Sequence, residues 1–97
     1  MSRGHLVSVL KTHLQEMRAQ FGVLQLALFG SATRDEMRRD SDVDILVAFE
    51  AAPTFDRSMD LKAYLERLLG TRVDLVTEEA LKPRMRPIIE KDLLRVA

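Results

Sequence analysis

Three aspartates stand where aspartate is costly. Asp42 and Asp44 open the apolar run Val43-Asp-Ile-Leu-Val-Ala-Phe49, and Asp74 lies inside Thr71-Arg-Val-Asp-Leu-Val-Thr77. Aspartate is depleted in strands and expensive to bury unpaired. Two apart at the start of a strand, Asp42 and Asp44 point the same way, with Cα atoms about 6.6 Å apart. If the third strand pairs beside the second, Asp74 comes within ~5 Å of them. Carboxylates gathered so closely repel one another unless cations neutralise them. Ligation by oxygen alone suits magnesium, or manganese, completed by water and substrate phosphates. Two such ions about 3.5–4 Å apart fit phosphoryl or nucleotidyl transfer. A turn cluster at Asp40-Ser41-Asp42 accounts for Asp40 and for Asp42, but not for Asp44 and Asp74. A salt bridge from Arg72 or Arg34 can satisfy one carboxylate, hardly the group.

Separated from Asp42 by ten residues, Gly30-Ser31 closes another apolar run. Ser31 then sits at the start of a short helix, where unpaired N–H groups and the helix dipole favour an anion. Glycine ahead of it lets a phosphate approach the backbone. Gly-Ser is also a common strand-to-helix turn in which the serine merely caps the helix. Both readings stand for the dipeptide alone.

The elements that must position these groups are legible from hydrophobic spacing. Leu6, Val9 or Leu10, Leu14, Met17 and Phe21 recur at helical steps, predicting one amphipathic helix ended by Gly22. Val23 to Phe29 reads as a strand covered on both faces. Ala32 to about Met37 is expected to form one or two helical turns. Val43 to Phe49 is the second strand, with Val43, Ile45, Val47 and Phe49 on one face and Asp42, Asp44, Leu46 and Ala48 on the other. Pro53-Thr54 opens a long helix stopped by Gly70. Val73 to Val76 is the third strand, Thr77-Glu78-Glu79 caps a brief helix, and Ile88 to Lys91 is helical again. Leu93 to Val96 is either a small edge strand or a frayed end. The order α-β-α-β-α-β-α predicts an α/β fold, a small mixed sheet of three to four strands backed by helices.

Residues 1–97 fit one domain, with 46% apolar residues for one core. Fifteen basic and fifteen acidic residues balance to zero net charge, which does not recommend direct nucleic-acid binding. The chain has no cysteine, so neither disulfides nor thiolate metal sites arise, in keeping with a cytoplasmic protein. The first residues lack a signal peptide's apolar segment, and no apolar run reaches a membrane span. His5 and His13 lie eight apart and could share a helix face, without a carboxylate pattern to make them metal ligands.

Gly-Ser, ten residues, Asp-x-Asp, then a later strand aspartate resembles the nucleotidyltransferase superfamily that includes DNA polymerase β. More closely, the chain is similar to the minimal nucleotidyltransferases, short proteins that pair with a HEPN-domain toxin as its antitoxin. The resemblance runs from Leu26 through Leu81-Lys82-Pro83. It implies that Gly30 and Ser31 hold the nucleotide's terminal phosphates and that Asp42 and Asp44 coordinate both magnesium ions. It further implies that Asp74 binds the ion nearest the acceptor and helps deprotonate its hydroxyl. Arg34 matches the arginine of the family's Ala-Arg-Gly, as a phosphate contact or a clamp on the carboxylates, whereas Asp35 replaces the glycine. The implied reaction moves AMP from ATP to a hydroxyl, a tyrosine, of the HEPN partner. The alternative is an antitoxin that works by binding alone, with a vestigial nucleotide site.

Overall fold

The computed structural model describes residues 2–33, 42–51 and 54–96. Ser2 starts the first helix, α1 (Arg3–Thr12), its side-chain oxygen accepting the His5 N–H at 3.1 Å. The single helix expected as far as Phe21 is broken at His13, and α2 spans Leu14–Phe21. The break has a local cause. Thr12 Oγ1 donates to the Ser8 carbonyl at 2.8 Å, and His13 Nδ1 lies 2.9 Å from the Val9 carbonyl. Side chains that bond carbonyls one turn back compete with the helical ladder. His5 therefore belongs to α1 while His13 forms the junction, and the two share no continuous helix face.

β1 (Val23–Phe29) and β2 (Val43–Phe49) occupy the expected residues. Between them a tight 3-10 turn covers Gly30–Thr33, in place of a helix beginning at Ala32; the remainder of that predicted helix lies outside the described residues. α3 (Phe55–Leu69) is capped by the Thr54 side chain, which accepts the Arg57 N–H at 3.1 Å, and is closed by Gly70 at φ 70°, where only glycine is free of strain. β3 (Val73–Thr77) runs one residue beyond the predicted strand. A 3-10 turn at Glu78–Ala80, capped by Thr77, leads to α4 (Arg86–Glu90), which starts two residues before Ile88. The C-terminal segment forms a strand, β4 (Leu94–Arg95), paired with β1.

The sheet order is β3-β2-β1-β4. β1 is antiparallel to both β2 and β4, whereas β2 and β3 are parallel, with α3 as the crossover between them. The fold is thus a mixed four-stranded sheet backed by helices. One face carries Val43, Ile45, Val47 and Phe49 of β2 and packs Leu6 and Leu10 of α1, Met17 of α2, and Leu61, Leu65 and Leu69 of α3. Fully burying each such side chain contributes about 1.5–3 kcal/mol, so this face carries most of the stability. The other face is thinner: among the described residues Ala27 and Leu46 pack with Leu81 and Ile89, and partly buried Phe29, Val76 and Leu93 close around them. Asp44, at the start of β2, lies toward one end of this face.

Candidate active site

Strand alternation puts Asp44 in the same row as Leu46 and Ala48, on the thinly covered face. In the parallel pairing of β2 with β3, Asp44 stands directly opposite Asp74. Two hydrogen bonds fix that register. The Val43 N–H donates to the Arg72 carbonyl at 2.9 Å, and the Val73 N–H donates to Glu66 Oε2 of α3 at 3.0 Å. Glu66 thus ties the end of α3 to the first residue of β3.

Burial raises the Asp44 carboxyl above its ordinary value; the charges of Asp74 and then Asp42, and a hydrogen bond with the Asp74 carboxyl, push it the same way. Asp44 is half-buried, while Asp42 and Asp74 are exposed. Asp42 engages Arg72, whose Nε lies 3.2 Å from Asp42 Oδ1, one of the two arginine partners the sequence allowed. Among the described residues no three acidic or histidine side chains are already gathered as a metal cage. Asp44 and Asp74 are together; Asp42 is paired with the Arg72 guanidinium. The donor set, all carboxylate oxygen and mutually repelling, fits a hard divalent cation.

Gly30 ends β1 beside this pair, its neighbour Phe29 being opposite Asp44. Its φ is 67°, and a Cβ placed on it would collide with Asp44 Oδ2. Glycine is therefore required twice over, by its left-handed backbone and by the carboxylate lying against it. The turn that follows is tied from within and from outside. Buried Thr33 donates from Oγ1 to the Gly30 carbonyl at 2.9 Å, and Arg3 Nη1 donates to the Thr33 carbonyl at 3.0 Å. Ser31 lies inside this turn. Arg34, Asp35, Arg38 and Arg39 lie outside the described residues.

Sequence reasoning singled out neither Thr33, Arg3 nor Glu66 for this region. Thr33, three residues after Gly30, has the spacing of a hydroxyl that bonds back to a carbonyl. Nothing in the sequence marks Arg3, thirty residues from its acceptor, or Glu66, which reads as an ordinary helix-surface carboxylate.

The chain has clear relatives. Residues 10–96 match the family model described as a nucleotidyltransferase domain, and the chain belongs to that family. It is 44% identical over 89 residues to the protein adenylyltransferase MntA of Thermococcus cleftensis, covering 92% of this chain and 90% of that protein. A solved structure described as a minimal nucleotidyltransferase superposes with a TM-score of 0.81 at 38% identity, covering 97% of this chain and 95% of that one. A Shewanella oneidensis complex of a tri-AMPylated HEPN toxin with its MNT antitoxin matches with a TM-score of 0.69 at 16% identity, covering 94% of this chain and 71% of that one; at that identity the likeness is one of fold. The chain is an enzyme of the nucleotidyltransferase class.

Proposed function

We propose that this chain, as a single minimal nucleotidyltransferase domain, transfers AMP from ATP to a tyrosine hydroxyl of a HEPN-type toxin and so acts as its antitoxin. The observation that carries the catalytic part is the register of Asp44 against Asp74, with Asp42 two residues before Asp44 and Gly30 packed on its carboxylate. The identity to an adenylyltransferase supports adenine as the base, and the fold shared with the HEPN–MNT complex supports the partner.

Asp42, Asp44 and Asp74 would hold magnesium, which when bound activates the acceptor hydroxyl and neutralises charge on the departing pyrophosphate. The residues of the chain do the positioning. Gly30 and Ser31, with Arg34, receive the terminal phosphates. Gly30 also leaves room for the Asp44 carboxylate, and Thr33 and Arg3 brace the turn. Asp74, open to solvent on its strand, takes the proton from the acceptor hydroxyl as that oxygen bonds to the α-phosphorus. The bond from the α-phosphorus to the β-phosphate oxygen breaks, and pyrophosphate leaves. A cytoplasmic setting, where ATP is supplied, goes with this reading; among the described residues no helix is long and apolar enough to cross a membrane.

The decisive experiment mixes the chain with α-labelled ATP, magnesium and a HEPN-type toxin. Label should appear on the partner's tyrosine and disappear with Asp44→Asn. Neutralisation of the toxin with no label on any protein would instead establish inhibition by binding alone.

A further inference from the structure

Arg72 is the last residue before β3, and its backbone carbonyl is pinned to Val43. Its side chain reaches across to Asp42, at 3.2 Å, the residue just before the strand that carries Asp44. Asp44 stands directly opposite Asp74, with Asp42 two residues before it, and Arg72 is the guanidinium seen paired with these carboxylates among the described residues. We propose that Arg72 is the resident counter-ion of these carboxylates, which a divalent cation must displace from Asp42. This rests on the metal reading above and adds to it an exchange: arginine on Asp42 without metal, arginine released with metal.

The geometry favours exchange over a permanent lock. The two side chains are 76% and 49% exposed, and pairs this open to water are weak. A divalent ion bound by several carboxylates outcompetes one guanidinium, yet must still break its contact. Once released, the guanidinium remains beside the site on a backbone that β2 holds fixed.

The test is a magnesium titration of thermal stability with the full chain, without nucleotide or partner. Arg72→Gln should lower the magnesium midpoint about two- to fivefold, the worth of one exposed ion pair. It should also lower the metal-free Tm, and that difference should close at saturating magnesium, because the counter-ion is needed only in the absence of metal. Arg72→Lys, which keeps a cation at that position, should hold a midpoint near the wild type. An unchanged or raised midpoint in Arg72→Gln, or a Tm deficit equal with and without magnesium, overturns the exchange and leaves Arg72 a structural residue. A wild type whose Tm does not respond to magnesium overturns the metal reading itself, and this inference with it.

Discussion

Gly30 and Asp44 are coupled by the absence of a side chain: any Cβ on the glycine would occupy the space of the aspartate's Oδ2. The end of β1 and the acidic start of β2 thus form one unit, and the turn cannot be altered without moving the carboxylate. Gly30→Ala should cost about 1–2 kcal/mol for the left-handed backbone alone, with a further penalty for the collision. Denaturant unfolding should show that loss. The same variant should have weakened magnesium-induced stabilisation, a property a distant turn glycine would leave untouched.

Asp44 sets stability against function. A carboxyl raised in the folded state binds its proton more tightly there than in the unfolded chain. Its favourable contribution is therefore complete below the ordinary carboxylate range and is lost as pH rises through its raised folded value. At neutral pH the metal-free protein bears that loss in full. Asp44→Asn should accordingly raise the metal-free Tm at pH 7, narrow the difference at acidic pH, and abolish transfer. A metal-free Tm below that of the wild type at pH 7 would contradict the assigned burial and repulsion.

Glu66 is expected to act on Asp74 through the backbone. Glu66→Ala leaves the Val73 N–H without its acceptor and should cost about 1–3 kcal/mol. Glu66→Gln keeps a carbonyl oxygen in place and should cost much less. If register is what Glu66 secures, transfer activity should fall in the alanine variant beyond its loss of folded protein and recover in the glutamine variant.

Thr33→Val removes the donor to the Gly30 carbonyl while keeping the side chain's shape. A lost hydrogen bond of this kind costs about 0.5–1.5 kcal/mol. Because the bond braces the turn, the KM for ATP should rise more than kcat falls. Equal stability with an unchanged KM would remove Thr33 from the site's support.

Tyr64, the single tyrosine of the chain, packs its ring at 5.4 Å from that of Phe21. Its hydroxyl is buried and makes no well-formed hydrogen bond among the described residues; burial raises its pKa, and the charge of nearby Glu16, with a weak hydrogen-bonding contact to it, pushes the same way. Tyr64→Phe removes a poorly compensated buried polar atom and should leave Tm unchanged or slightly higher. Transfer to the partner should persist, and no AMP should be found on this chain in either form. Label on Tyr64 in the wild type would contradict that.

The strands were legible because β1 and β2 are both short apolar runs, interrupted only by Gln25 and Asp44, and both begin and end where those runs do. The convergence of Asp44 and Asp74 was legible for a different reason. Two aspartates in strand contexts have few inexpensive explanations, and parallel pairing supplies one. What could not be read arises from side chains acting on distant or competing carbonyls. Thr12 and His13 split a helix whose apolar spacing runs straight through them, Arg3 reaches a turn thirty residues away, and Glu66 spends its carboxylate on a backbone amide. Leu94 and Arg95 form a strand because β1 offers them an edge, information that belongs to the tertiary structure rather than to those two residues.

In the order β3-β2-β1-β4, β3 has β2 as its neighbour on one side and ends the sheet on the other. Among the described residues, Asp74 consequently rides on a border of the sheet. A border can be approached from the side by something as bulky as another folded protein, which is the approach the proposed protein acceptor requires.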